Sequence, residues 1–139
     1  MTMTKKREIY RCSVCGNVVE VLNAGALTVC CGRPMNLLKS NTTDGSTEKH
    51  VPVIEKTECG YRVRVGSSDH PMTADHYIQW IELRTQRMVL RMELQPGDKP
   101  EAFFRIDSPE KCRMQQSGES CEQIKVFAYC NLHGLWSVE

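Results

Sequence analysis

From residue 50 onward, apolar and polar residues alternate in short runs. In "YRVRVG", Tyr61, Val63 and Val65 stand against Arg62 and Arg64, a period of two that puts the first set on one face of a strand. "HVPVIEK", "HYIQWIEL", "RMVLRMEL", "EAFFRI", "KVFAY" and "LWSV" complete the set, separated by Gly, Pro, Asp or Ser clusters. Seven short strands in about 90 residues predict an antiparallel sandwich or barrel. No long helical period competes with that reading, and no internal repeat is visible.

The first third of the chain follows a different plan. "YRCSVCGNVVEVLNAGALTVCCGRPM", residues 10 to 35, holds a CxxC turn, an apolar stretch from Val18 to Leu22, a turn at Gly25 and a second cysteine pair. Its apolar content is too small for an ordinary core, so a bound metal must supply much of its folding energy. Residues 1 to 8 read as a polar lead, and Ser40 to Thr47 as a linker or surface loop. The expected division is a metal domain over 1–37, a linker over 38–47 and a β-sandwich over 48–139. Between Asp107 and Ile124 the text "DSPEKCRMQQSGESCEQI" is polar and aperiodic; it predicts a surface excursion with one helical turn after Ser108-Pro109.

Composition narrows the function classes. A net charge of +1 over 139 residues provides no general positive field for collecting phosphates, which argues against nonspecific nucleic-acid binding. No run approaches the roughly 20 apolar residues needed to cross a bilayer, and no apolar leader opens the chain, so a soluble, cytoplasmic protein is expected. Eight cysteines suit a secreted disulfide scaffold or a metal protein. The missing leader favours metal.

Two constellations carry that chemistry. Cys12, Cys15, Cys30 and Cys31 can complete a tetrahedral sulfur site, for which a zinc staple and a redox-cycling iron are both open. Adjacent Cys30 and Cys31 cannot splay their thiols as a CxxC turn does, so a distorted tetrahedron is expected. The second constellation is His50, His70, His76 and His133 with Cys130. All four histidines lie in the strand-rich part, where strand ends and loops gather on one rim. Taken singly, each histidine is better explained as a surface or strand-end residue than as a ligand, and only Cys130 and His133 have ligand spacing. Five ligands would exceed a closed four-coordinate zinc site, while a metal preferring six would keep one position open to a small ligand. An electron-transfer protein with closed metals and a zinc-stabilised interaction module are the other classes that these residues allow. Tyr129 and Trp136 flank the second motif and read as packing.

Taken in order, "YRCSVCGNVVEVL", "CCGRPM", "EKHVPVIEK", "VGSSDHPM", "HYIQWIEL", "PGDKPEAFF" and "YCNLHGLW" resemble the desulfoferrodoxins, the two-iron superoxide reductases. The resemblance covers nearly the whole chain. It implies a first iron held by Cys12, Cys15, Cys30 and Cys31 in a rubredoxin- or desulforedoxin-like domain. It further implies a second iron in an immunoglobulin-like β-sandwich, with His50, His70, His76 and His133 around it in a plane and Cys130 axial. The implied activity is one-electron reduction of superoxide to hydrogen peroxide, with rubredoxin as a common electron donor and a homodimer as the usual assembly. Glu48 and Lys49 match the family's pair before the first histidine, which implies a lysine near the open position and a glutamate able to occupy it in the ferric state. Backbone N–H groups of Leu132 or His133 are expected to reach the Cys130 sulfur. The chain departs from the family at Cys59, where glycine is more familiar, and in the longer segment bearing Cys112 and Cys121. None of these three is expected to bind iron.

Overall fold

Alternation fixes which face of a strand is buried only once a second layer covers it, so the seven-strand pattern requires two sheets. A computed structural model describes residues 3–42, 50–106 and 123–139. The chain divides into two compact units, Met1–Lys39 and Ser40–Glu139. Every strand pair is antiparallel, and none of the described residues is helical.

In the first unit, β1 (Ile9–Arg11), β2 (Val18–Glu20) and β5 (Asn36–Leu37) form a sheet in the order β2-β1-β5. A separate hairpin joins β3 (Val29–Cys30) to β4 (Arg33–Pro34). The core consists of Tyr10, Cys12, Val21 and Met35, with Val19, Leu27 and Cys30 packed against it. Cysteines predicted to bind metal thus lie within and against the core itself.

The second unit contains all seven expected strands: β6 (Pro52–Thr57), β7 (Gly60–Val65), β8 (Ile78–Arg84), β9 (Val89–Glu93), β10 (Glu101–Arg105), β11 (Lys125–Cys130) and β12 (Gly134–Val138). They form sheets of order β10-β7-β6 and β12-β11-β8-β9, the immunoglobulin-like sandwich that was expected. Relative to a constant-type domain, the fourth strand has moved to pair with the third. Val63 and Val65 of β7 and Ala102 and Phe104 of β10 share one core with Ile81, Leu83, Val126, Ala128 and Cys130 of the other sheet. Glu82 is a charged exception on β8, buried yet paired with Arg84 at 2.7 Å and Arg91 at 3.0 Å.

A register shift on β8 shapes the surroundings of Cys130. Tyr129 pairs with Trp80, but the next residue, Cys130, pairs with Ile78. Gln79 is thus an extra residue on β8. Simple alternation from Ile81 would turn Gln79 inward; the bulge instead buries Ile78 completely, opposite an equally buried Cys130. Glu48, Lys49, Cys112, Cys121 and the expected helical turn after Ser108-Pro109 lie outside the described residues.

Gly60 opens β7 with φ +153°, and a Cβ there would overlap the carbonyl oxygen of Phe104 and lie 3.0 Å from Arg105 Cα. Both are backbone atoms of the paired strand β10, so relief requires the strands to separate. Gly60→Ala is expected to cost about 1–3 kcal/mol, read as a lower urea midpoint. An unchanged midpoint would show that this hairpin end yields freely.

Candidate metal centres

Cys12 and Cys15 stand on the turn between β1 and β2, and Cys30 and Cys31 on the β3–β4 hairpin. Adjacent cysteines share a site because Cys31 adopts φ +52° and Gly32 φ +73°, a left-handed pair that swings the second thiol back toward the first. Cys15 Sγ lies 3.6 Å from Cys30 Sγ, and Cys30 Sγ lies 4.0 Å from Cys31 Sγ. Metal–sulfur bonds of about 2.3 Å arranged tetrahedrally place sulfurs about 3.8 Å apart, so these edges bracket the ideal. All four sulfurs fall within 4.8 Å of one another.

Charge supports the same assignment. The N–H groups of Cys15 and Val14 point at Cys12 Sγ, at 3.5 and 3.4 Å, and hold its pKa down to about 6. Hydrogen bonding with Cys15, Cys12 and Cys30 pushes Cys31 up to about 12. The first thiolate forms easily and the last does not. Four thiolates in this volume need a cation between them, which is the condition a bound metal meets.

In the second unit, His50 lies just before β6, His70 and His76 in the β7–β8 connection, and Cys130 and His133 about the β11–β12 turn. The strands begin two residues beyond His50 and His76, so both ligands ride on loops at one end of the sandwich. All five donor atoms fall within 4.8 Å of one another. The rings form a closed square: centroids are 4.7 Å apart for His50–His70, 4.7 Å for His70–His76, 4.9 Å for His76–His133 and 4.8 Å for His133–His50. The His50–His76 diagonal is 6.4 Å. Neighbouring rings stand at 70–81° to one another.

Two nitrogens report the intended geometry. His50 Nε2 and His133 Nδ1 are 3.0 Å apart. Metal–nitrogen bonds of about 2.0–2.1 Å at right angles separate neighbouring donors by about 2.9 Å, whereas tetrahedral angles would give about 3.4 Å. The spacing is that of adjacent ligands in a square. His133 uses its nearer nitrogen because Cys130 is only three residues away; Nδ1 lies 3.7 Å from the Cys130 sulfur.

His70 provides the sharpest test of fit. Its Nδ1 lies 2.7 Å from the Pro71 carbonyl oxygen, which fixes the proton there and leaves a lone pair on Nε2. That Nε2 is buried with no hydrogen-bond partner, an arrangement that a metal ion would satisfy. Nε2 of His76 is buried as well. Burial holds the His70 pKa down to about 4, outweighing the Pro71 carbonyl, with the other three rings adding to the depression. His70 is therefore neutral near pH 7, the state a ligand needs. Cys130 is wholly buried whereas His133 is exposed. Burial raises the Cys130 pKa, and the N–H groups of Leu132 and His133, directed at its sulfur, oppose that rise. Both expected amides reach it.

The structure also brings in residues that spacing did not identify. Trp136 on β12 stacks on His50, with centroids 4.6 Å apart and planes at 19°, and its indole N–H donates to the His133 carbonyl oxygen at 3.1 Å. Asn131, inside the CxxH turn, bonds the loop that carries His76. The signal for Trp136 was its position three residues after His133. Cys59 is exposed at the β6–β7 turn and belongs to neither cluster.

Comparison with known proteins agrees with this arrangement. The family described as Desulfoferrodoxin, N-terminal domain matches residues 4–38, and the family described as Desulfoferrodoxin matches residues 42–139. A desulfoferrodoxin of Syntrophotalea carbinolica is 53% identical over 138 residues, covering 99% of each chain. A superoxide reductase of Pyrococcus horikoshii is 34% identical over 112 residues, covering 69% of this chain and 89% of its own. Among solved structures, the superoxide reductase from Treponema pallidum superposes with TM-score 0.66 at 27% identity, covering 95% of this chain and 96% of that one.

The two units differ in what supports them. Among the described residues, the buried cluster of the first has four members, and one of these is a cysteine of the metal site. Stripping both metals is expected to remove amide-exchange protection from β1, β2 and β5 while β7, β8 and β11 keep theirs. Retained protection in the first unit would show that its apolar core suffices.

Proposed function

Because the chain belongs to the desulfoferrodoxin family, we propose that it acts as a superoxide reductase, converting superoxide to hydrogen peroxide with one electron and two protons. The observation that carries this reading is the square of four imidazoles with a buried thiol. The two clusters fit two iron centres. In this assignment Cys12, Cys15, Cys30 and Cys31 hold one iron, and His50, His70, His76, His133 and Cys130 hold the other. Iron in the second site supplies the electron and a coordination position for the small anion.

The surrounding residues decide how that site is used. His70 presents Nε2 because Pro71 holds the proton on Nδ1. The amides of Leu132 and His133 offset only part of the burial that raises the Cys130 pKa, so a bound cation would complete the stabilisation of the thiolate. With Cys130 on the buried side and His133 exposed, the anion approaches from solvent, which also provides the protons. Lys49 would attract the anion and Glu48 would neutralise the added charge after product leaves. Both assignments rest on the family resemblance and on their positions directly before His50.

A small donor such as rubredoxin would supply the electron; the tetrathiolate centre, whose Cys15 and Cys31 are exposed, is equally suited to relay it and to serve as a structural element. The resemblance supports a homodimer that removes superoxide. No helix among the described residues is long and apolar enough to cross a membrane. Cysteines used as metal ligands and not as disulfides support a reducing, cytoplasmic setting.

Rapid mixing of the reduced protein with superoxide tests the activity. A reductase yields one peroxide per superoxide consumed and no dioxygen; a dismutase yields half that peroxide and releases dioxygen. Lys49→Ala is expected to slow the bimolecular step about tenfold at low salt and flatten its ionic-strength dependence. Glu48→Ala should leave the rate of first encounter unchanged, and a slowed encounter would refute the role given to it.

A further inference from the structure

His76 lies in a short loop that is closed on itself. Thr73 and His76 exchange backbone hydrogen bonds at 3.0 and 3.2 Å, and the Thr73 hydroxyl adds contacts to His76 N and O. These bonds shape the loop but do not set its distance from the turn that carries Cys130 and His133. The β8–β11 ladder could set it, yet that ladder ends at the bulged pair Cys130–Ile78. Beyond this pair, among the described residues, Asn131 continues the connection.

Asn131 comes directly after Cys130. Its Nδ2 donates to the Asp75 carbonyl oxygen at 2.9 Å, and its Oδ1 accepts the Tyr77 N–H at 2.9 Å. Its own backbone N–H donates to the Tyr77 carbonyl oxygen at 3.2 Å. These three bonds grip the loop immediately before and after His76. A carboxamide extends the ladder past its last backbone pair because it offers a donor and an acceptor side by side, as a peptide group does. Asparagine in a turn usually bonds to its own neighbourhood. Here the side-chain partners are 54 and 56 positions away, on the loop of another member of the cluster.

We propose that Asn131 is a positioning residue for the five-residue metal site, clamping the His76 loop to the Cys130–His133 turn so that ring and sulfur keep their mutual distance. The proposal rests on the reading that these five residues hold iron. Aspartate at this position could accept from Tyr77 but could not donate to Asp75, and alanine could do neither.

The test uses the full chain with both irons loaded. Iron release to a chelator is monitored together with the thiolate-to-iron charge-transfer band and the thermal midpoint. Thr85→Ala is the control, because it removes side-chain acceptance of the Arg87 and Met88 amides at a turn in the same sandwich without touching the cluster. Asn131→Ala is expected to lose iron from the histidine–cysteine site about tenfold faster or more, with a shifted band and an unchanged tetrathiolate spectrum. Asn131→Asp should fall between wild type and alanine, and it provides the reading if the alanine variant does not fold. Thr85→Ala should resemble wild type in both spectra. If Asn131→Ala, or Asn131→Asp in its place, matches wild type in release rate and band, the clamp is overturned. If the wild type takes up no iron at this cluster, the reading beneath it falls as well.

Discussion

Aiming four imidazole nitrogens and one sulfur at a single point is unfavourable unless a cation occupies that point. Turned to one metal, His50 and His133 must both present lone pairs from nitrogens 3.0 Å apart, which repel without a cation between them, and a buried Nε2 such as that of His70 forgoes its hydrogen bond to water. The donors cannot hold each other in place, so the scaffold must do it. The second unit supplies that rigidity from a core of aliphatic strand residues with Phe104. It places the donors on loops where the strands end. In the first unit the relation is reversed, since two of the cluster cysteines lie within or against the small core, which ties the folding of the unit to what those sulfurs bind.

The depth of Cys130 then sets the polarity of the larger site. Its sulfur belongs to the sandwich core while His133 faces solvent. The side of the square away from the sulfur is thus the one toward the exposed His133. The bulge at Gln79 is part of this arrangement, because it turns Ile78 inward beside Cys130 and ends the ladder where the ligand turn begins. A small anion needs no deep channel, and none is required by this geometry.

Much of this was legible in the chain. Short apolar runs between turn formers marked all seven strands, although the faces differ: β7 alternates, β11 buries five consecutive residues and β9 buries none; the cysteine spacing marked the first cluster. For the second cluster spacing gave only Cys130 and His133; His50, His70 and His76 became a set through resemblance to a known family. The order of rings around the square, the extra residue on β8 and the contacts of Trp136 and Asn131 left no periodic trace. Those features depend on which loops meet in space, and a hydrogen bond spanning 54 positions has no local signature. The strand starts were misplaced by two residues at His50 and His76 because an apolar run does not distinguish a strand from the loop leading into it.

The two centres nevertheless share one local device. "CSVCG" and "CNLHG" both place a cysteine three residues before a second ligand, with glycine directly after that ligand. Both glycines take left-handed angles, φ +79° at Gly16 and +84° at Gly134, and in both turns the first sulfur faces the amides two and three residues on. The shared turn aims N–H groups at a thiolate whether the second ligand is a thiol or an imidazole. The surroundings make the difference. At Cys12, in a unit with little apolar mass, the amides dominate and favour the anion; at Cys130, in the centre of a sandwich, burial dominates and raises the pKa. A thiolate that its surroundings stabilise poorly depends more on the metal it binds and donates more charge to it. The same five-residue turn thus makes a folding element in one unit and an electron-rich ligand beneath an open site in the other.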